Sequence, residues 1–452
     1  MEDTTAVYPA MLVDELLLNH VADDVEFLNT LPHEETAELL AKLPVERAVE
    51  ILDQPALYAA PEVIALLPPE RAAKLLTGMA ADRAADIFRW LEQPAKTDLL
   101  TRLDPETRAA IERLLVYPPG TAGSIMTTEY VSAPSTWTVA QTLDYIRQVE
   151  RTRETVYAIY VIDPQTKRMV NAVTLRRLIA AAPDAPILSA ARPYEPIVAS
   201  PLMDREEVAR LFHKYDLLAV PVLDNAGRML GIVTVDDAID AILAESTEDV
   251  QKFGGVTALE APYLQIGFGQ MISKRAGWLC ALFLSEMLTA SAMQHFESEL
   301  EKAIVLTLFI PLIMSSGGNS GSQATSLLIR SLALKELRLG DWWRVALREL
   351  PTGIALGAIL GVIGLLRITV WQEAGLFNYG QHWVLVAVTV AAALIGVVTF
   401  GSLSGSMLPF ILQRLGFDPA SASAPFVATL VDVTGLVIYF SVATLILSGS
   451  LL

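Results

Sequence analysis

At 452 residues the chain is too long for one ordinary domain. Its formal net charge of −18, from 33 Lys and Arg against 51 Asp and Glu, argues against nucleic acid as a partner. Hydrophobic residues make up 53% and charged residues 19%, a mixture that excludes both a wholly soluble and a wholly membrane-embedded chain, and the single Cys280 excludes an internal disulfide or a Cys-rich metal site.

The charge is segregated. Up to Gln270 there are 23 Lys and Arg against 41 Asp and Glu, and from Met271 onward there are 10 of each, so the whole net charge sits on the first part. The opening MEDTTAVYPA is acidic and lacks the basic-then-apolar order of a secretory signal, which places the first 270 residues in the cytoplasm. Clustered carboxylates repel one another until a cation or a proton lies between them, so this part suits cation binding. The five histidines are scattered without zinc-ligand spacing.

Residues 10–117 read as short helices in series. LPHEETAELLAKL, LPVERAVEIL, LPPERAAKLL and LDPETRAAIERLL share Leu, an early Pro, first-turn acids and an apolar face at i, i+3 and i+4. Such repetition predicts an all-α superhelix of stacked helices, in which any single Glu is ordinarily a solvated face.

YPPGTAGSIMT (117–127) breaks the pattern, and two similar units follow. In the first, residues 139–149 read as helix, YAIYVID as strand, and MVNAVTLRRLIAA as strand then helix. In the second, EEVARLFHKYD is helix, LLAVPVLD strand, NAGR a turn, and MLGIVTVDDAIDAIL strand then helix. Helix–strand–strand–helix, twice, resembles a tandem cystathionine-β-synthase (CBS) pair. The motif of apolar strand, D-x-x-G-R, G-I-V-T-x-x-D carries the resemblance in the second unit. ESTEDVQKFGGVTALEAPYLQIGFGQ then links to the rest, helical at first and interrupted at Gly254 and Gly255.

Five apolar stretches follow, at about 275–296, 303–331, 350–371, 382–412 and 421–449, each supplying the roughly 20 residues that cross a bilayer. Lys274 and Arg275 precede the first, Arg330, Lys335, Arg338, Arg344 and Arg348 follow the second, and Arg414 follows the fourth. These basic ends belong on the cytoplasmic side, and HFESELEK and WQEAGLFNYGQHW belong outside with the C-terminus. Asp432 lies in mid-span in PFVATLVDVTG with no basic residue at its depth, which leaves a cation, water or a proton to neutralise it. PLIMSSGGNSGSQATSL (311–327) carries glycines that serve either a cavity-lining backbone or close helix packing, while Asn319 and Gln323 favour a polar path. An all-oxygen lining suits Mg²⁺, which is hard and gives up its waters reluctantly. In a two-fold dimer Asp432 would face its own copy.

TAGSIM, the second CBS unit running into VTVDDAIDAILAESTED, PLIMSSGGNSGSQAT and PFVATLVDVTG together resemble the MgtE-type bacterial magnesium channels over essentially the full chain. The resemblance implies a cytosolic helical N domain (1–122), tandem CBS domains (123–245, about 126–186 and 190–245), a connecting plug helix (246–270, its long helix about 246–262) and a five-helix membrane domain (271–452). It implies a homodimer in the bacterial inner membrane with the pore on its two-fold axis. Mg²⁺ is then both cargo and regulator, bound Mg²⁺ holding the channel shut. Asp432 takes the selectivity site with the Ala428 carbonyl, and Asn319 is placed beside them. One position departs, because Ala424 stands where the family pattern has Asn before the Pro that opens the fifth span. The implied sensor acids are Glu50, Asp82 and Asp86 in the helical domain, and Glu206, Asp216, Asp237, Asp240 and Glu245 in the CBS pair. Glu248 and Asp249 on the plug helix and Asp418 before the fifth span complete the set. The resemblance to CBS pairs also leaves room for ATP or another adenine nucleotide.

Three alternatives remain open in the sequence: an ion-coupled carrier or one that also takes Mn²⁺, Co²⁺ or Ni²⁺; a CBS-regulated membrane enzyme; and an anion channel. Against an enzyme, no nucleophile–base pairing, phosphate-cradling loop or metal-hydrolase spacing is present, and GGNSG lacks the Lys of a phosphate loop. Asp432 argues against an anion path.

Overall fold

The computed structural model describes residues 12–13, 15–259, 263–264, 266–297 and 304–448. The acidic opening stretch, the 260–262 end of the expected plug helix and most of the first outer loop lie outside the described residues. The chain forms two compact units, Met1–Glu245 and Ser246–Leu452.

From Val21 onward the first unit runs through short helices: α1 (Val21–Leu28), α2 (His33–Lys42), α3 (Val45–Leu52), α4 (Ala60–Leu66), α5 (Pro69–Gly78), α6 (Ala81–Trp90), α7 (Gln93–Arg102) and α8 (Pro105–Leu115). Prolines act as their start signals: Pro32, Pro44 and Pro68 take the N-cap positions of α2, α3 and α5. Asp104 caps α8 by accepting from the Glu106 and Thr107 amides, both at 3.0 Å. One apolar stripe per helix is buried, including Leu40, Ile51, Leu52, Val63, Leu75 and Phe88.

The repeat also carries a polar device. The third residue of α3, α5 and α6 is an arginine that reaches back to carbonyls left free at the end of an earlier helical segment. Arg47 donates to the carbonyls of Leu16 at 2.7 Å and Asn19 at 2.6 Å, Arg71 to Leu40 at 3.1 Å, and Arg83 to Leu52 at 3.0 Å. Arg47 also pairs at 2.8 Å with Asp24, a carboxylate only 1% exposed.

The rest of the unit is the double CBS arrangement. Strands β1 (Val131–Pro134), β2 (Ala158–Ile162) and β3 (Met169–Thr174) form one sheet, with helices α9 (Val139–Val149) and α10 (Leu175–Ala180). β1 pairs parallel to β2, and β2 antiparallel to β3. The second unit repeats the order as α11 (Arg205–Tyr215), the antiparallel pair β4 (Ala219–Leu223) and β5 (Met229–Thr234), and α12 (Val235–Phe253). The expected helix–strand–strand–helix order is present twice, with β1 as an addition too short to read from periodicity. The halves interlock where Thr127 and Ile232 exchange backbone hydrogen bonds of 2.8 and 2.9 Å. Gly231 is required there, since a Cβ would sit 2.5 Å from the Thr127 carbonyl oxygen.

Among its described residues the second unit carries five helices long and apolar enough to cross a membrane: α13 (Phe268–His295), α14 (Ile310–Ala333), α15 (Trp342–Glu373), α16 (Trp383–Arg414) and α17 (Ala424–Leu447). The protein is therefore a multi-pass membrane protein with an all-α N-terminal domain and an α/β CBS pair. The glycines of α14 do not loosen it, for the helix is continuous from Ile310 to Ala333. Gly317 and Gly321 face α16, where they meet Gly401 and Gly405 with no room for a side chain, and Gly318 faces Ala428 of α17.

The plug helix is shorter than expected. α12 ends at Phe253, and Gly255 follows at φ +73°, a conformation that suits glycine at a helix end. Residues 256–259 have no regular structure, but they are anchored: the Thr257 amide donates to the Lys274 carbonyl at 3.1 Å, and a Cβ on Gly255 would strike the Trp278 ring at 2.5 Å.

Candidate functional site

The membrane site is built where α17 meets α13 and α14. α17 and α13 run side by side in the same direction, with Trp278 against Phe426 (ring centroids 6.2 Å apart) and Phe296 stacked on Phe440 (5.1 Å). Trp278 also donates to Ser423 at 3.0 Å. This near-constant offset sets Glu286 of α13 level with Asp432 of α17. At about 100° per residue, both carboxylates lie about a quarter turn from the contact line, on the same side of the helix pair. Glu286 is exposed, Asp432 is half-buried, and Glu286 lies within electrostatic reach of Asp432. Among the described residues Asp432 makes no hydrogen bond or ion pair.

α14 runs antiparallel to α17. The Ser322 hydroxyl lies 3.5 Å from the Ala424 carbonyl, and a Cβ on Gly318 would rest 3.5 Å from Ala428. Asn319 therefore sits near the Ala428 level, on an exposed polar stripe with Ser315 and Gln323, and it donates to Ser315 at 3.4 Å. α14 thus has two faces. Glycines bury one against α16, and small polar side chains line the other. Of the two uses the sequence left open for the glycines, the continuous helix shows close packing, and the exposed polar side chains stand on the other face.

In the first unit, folding gathers Asp82 and Asp237. The Asp82 Oδ1 is buried without a hydrogen-bond partner. Burial holds its carboxyl well above the usual carboxylate range, and Asp237 and Glu154 add to the effect. Asp237 accepts from the Thr234 hydroxyl at 2.5 Å. It is nonetheless pushed up to about 7, by burial first, with Asp236 and Glu154 contributing. Asp240 is raised by burial and by Asp236, against Arg83. Asp86 is also raised by burial, and Arg89 pairs with it at 2.6 Å.

The other acids expected from the sequence have other partners. Glu50 is bound to Arg47 at 2.8 Å, Glu206 to Arg210 at 3.0 Å, and Glu245 to Arg205 at 2.7 Å. Asp216 is exposed and ends α11 in the left-handed conformation. In the second unit, Asp249 is half-buried on α12, while Glu248 and Asp418 share one lysine, Lys252, at 2.6 and 2.5 Å.

Three acids that sequence reasoning missed belong with the Asp82 group. Asp53 is pushed up to about 6 by burial, with Glu154 adding to this and the Ala80 amide and Arg83 opposing it. Glu129 and Glu154 are raised, again by burial first. The internal duplication held a signal: Glu154 precedes β2 by four residues, much as Asp216 precedes β4 by three.

Among the described residues, no three His, Cys, Asp or Glu side chains converge closely enough to hold a bare metal ion. The residues that could hold a cation with its waters are those of the Asp82–Asp237 cluster, where the Asp82 Oδ1 is an acceptor without a donor among the described residues.

The sign of the pH effect follows. A carboxyl raised in the folded state binds its proton more tightly there than in the unfolded chain. Stability is then fully present below the unfolded value near 4 and is lost as pH rises to the folded value, about 7 for Asp237. In metal-free buffer the first unit of the full-length protein should unfold several degrees lower at pH 8 than at pH 6. Millimolar Mg²⁺ should restore it at pH 8, and Asp237→Asn should flatten the pH difference. Identical melting of wild type at both pH values without Mg²⁺ would remove the strained-acid account.

Known proteins are similar to this chain along most of its length. The family model for divalent cation transporters of the MgtE type matches residues 310–442, the MgtE intracellular N domain matches 19–120, and a CBS domain matches 191–244. The magnesium transporter MgtE of Thermus thermophilus is 41% identical over 339 residues, covering 75% of this chain and 73% of that protein. The magnesium transporter MgtE of Enterococcus faecalis is 36% identical over 336 residues, 74% of this chain and 71% of that one. Among solved structures, the cytosolic domain of the Mg²⁺ channel MgtE in complex with ATP is 35% identical, covers 51% of this chain and 93% of that chain, and has a TM-score of 0.48. The soluble part of a magnesium transporter is 31% identical, covers 54% of this chain and 96% of that chain, and has a TM-score of 0.49. With three matching family models and relatives at such identity over three quarters of its length, the chain belongs to the MgtE family of divalent cation transporters.

Proposed function

We propose that this chain carries Mg²⁺ into the cell as a homodimer in the inner membrane, and that its own acidic domains close the path when cytosolic Mg²⁺ is high. It acts as a transporter and not as an enzyme. The observation that carries the reading is Asp432, a half-buried carboxylate in mid-helix of a membrane segment with no partner of its own among the described residues. Such a group is stable there only if it faces water, a cation or a polar partner. Glu286 lies level with it on the same side, and a two-fold axis would double both carboxylates at one depth. Ala428 and Asn319, one turn toward the cytoplasmic end, supply neutral oxygens suited to an ion passing with its waters.

In the sensor, Asp82, Asp237, Glu154 and Asp53 repel one another when ionised, so their packed arrangement depends on a screening cation. Low Mg²⁺ loosens it and releases the plug segment. The reading places residues 1–122, 123–245, 246–270 and 271–452 as helical domain, CBS pair, plug and membrane domain, with the C-terminus outside. It needs no nucleotide at the CBS pair.

The test is Mg²⁺ uptake into proteoliposomes at zero and millimolar Mg²⁺ on the cytosolic face. Strong uptake at zero, suppressed at least about tenfold at millimolar levels, is expected for a coupling of the size seen in binding-linked switches. Uptake that ignores cytosolic Mg²⁺ would reject the sensor. Two membrane carboxylates also suit proton coupling. Uptake that persists with the proton gradient collapsed separates a channel from a coupled carrier.

A further inference from the structure

The acids implied as the plug-to-pore cation site, Glu248 and Asp418, are held by a cation that belongs to the chain. Lys252, one helical turn after Glu248 on α12, places its ammonium 2.6 Å from the Glu248 carboxylate and 2.5 Å from Asp418, 166 residues away in sequence. The i, i+4 order with Glu first is the favourable one on a helix. All three groups are partly withdrawn from water, with side-chain exposures of 27% for Lys252, 30% for Glu248 and 37% for Asp418. Burial alone would lower the lysine's affinity for its proton, but Asp418 and Glu248 outweigh it and hold the ammonium above the usual lysine range. Asp418 is itself fixed, for it accepts from the Ala420 amide at 2.8 Å and caps the short turn ahead of α17.

A cavity of about 260 Å³ adjoins the bridge, walled by Glu248, Lys252, Gly255, Thr257, Trp278 and Ser421. At about 30 Å³ per water, it has room for a cation with its first hydration shell. The same stretch of chain is tied down on its far side by Thr257 on Lys274 and by Gly255 against Trp278. Whatever bridges Glu248 to Asp418 thus sets whether the end of α12 stays docked on the start of the membrane helices.

We propose that Lys252 is a tethered competitor for the divalent cation at this position: its ammonium bridges Glu248 and Asp418 when Mg²⁺ is scarce, keeps the plug segment partly docked, and must swing aside for Mg²⁺ to take its place. The inference rests on the proposed Mg²⁺-gated reading and adds a residue that sets the gate's resting level. A tethered monovalent charge holds the two carboxylates less firmly than a divalent ion, so the gate is weakly biased toward closure without Mg²⁺ and strongly with it. Lys252 is a positioning residue, touching the gate acids and not the transported ion.

The experiment uses full-length protein in lipid, comparing wild type with Lys252→Met, which keeps the aliphatic length, and Lys252→Arg, which keeps the charge. Two quantities are read: Mg²⁺ uptake at zero cytosolic Mg²⁺, and hydrogen exchange of residues 246–259 in metal-free buffer. Lys252→Met should raise both by about fivefold, the effect of losing a partly buried ion pair that couples two elements. Lys252→Arg should stay near wild type. In an Asp418→Asn background, Lys252→Met should add little, because the bridge is already broken. Unchanged exchange and uptake in Lys252→Met would overturn the proposal, as would equal effects from Met and Arg, which would mark a packing role. If wild-type uptake ignores cytosolic Mg²⁺ while exchange still rises in Lys252→Met, the gating reading fails and the bridge stands. Should Lys252→Met fail to fold, Lys252→Gln with the same two readouts replaces it.

Discussion

Replacing Asp432 by Asn is expected to cut Mg²⁺ uptake at low cytosolic Mg²⁺ by about tenfold or more, the loss of one strong charge contact with a divalent ion in a poorly solvated path. The same substitution should leave the fold intact and raise thermal stability. Asn matches Asp in shape, and the native carboxylate is half-buried on α17 with no hydrogen bond or ion pair among the described residues. Removing an unpaired charge from such a place relieves a cost, whereas removing a satisfied one incurs it. Flux and stability should therefore move in opposite directions, as at sites where function is kept at the expense of stability. Uptake in proteoliposomes and melting in detergent measure the two. Glu286→Gln should lower uptake less, since Glu286 is exposed and its contribution is electrostatic and not confined to a narrow site. If Asp432→Asn conducts as wild type does and melts no higher, the carboxylate is a neutral structural group and the proposed path is wrong.

The architecture was largely legible because its signals are local. Prolines and first-turn acids announce α2, α3, α5 and α8, and the five apolar stretches are long enough to leave no competing reading. The sites were legible only in part. Asp432 stands out because it interrupts an apolar run, and Glu286 interrupts another in the same way, so it was readable but passed over. Glu154 had only the internal duplication to mark it, and Asp53 and Glu129 could not be chosen from the sequence. Long-range packing brings Glu154 within electrostatic reach of Asp82 and Asp237, and Asp53 and Glu129 within reach of Glu154. The opposite holds for Glu50, Glu206 and Glu245, whose charges are answered by Arg47, Arg210 and Arg205. Arg47 and Arg210 lie one helical turn from their acids and were readable, whereas Arg205 reaches Glu245 across 40 residues and was not. Lys252 shows the same limit, because its i, i+4 partner Glu248 is visible in sequence and Asp418 is not.

The glycine faces allow packing and conduction to be separated by mutation. A Cβ on Gly405 would stand 2.2 Å from the carbonyl oxygen of Gly321, and one on Gly401 would stand 2.3 Å from that of Gly317. Both obstacles are backbone and cannot rotate away. The closeness is used: the Thr325 hydroxyl donates to Gly405 at 2.8 Å across the seam, and Ser320 meets Ser402 at 2.7 Å. Gly405→Val should force α14 and α16 apart and cost about 3 kcal/mol or more, enough to prevent recovery of folded protein or lower its melting temperature sharply. Gly277→Ala on α13, where a Cβ meets nothing within 4 Å, should be neutral or slightly stabilising. Asn319→Ala lies on the other face of α14, where its side chain's one hydrogen bond among the described residues is the 3.4 Å contact with Ser315. It should melt like wild type while altering Mg²⁺ uptake. Normal melting of Gly405→Val would mean the two helices can separate without loss, and the glycines would then need a reason outside packing. A large stability loss in Asn319→Ala would assign the polar stripe to the fold and remove it from the path.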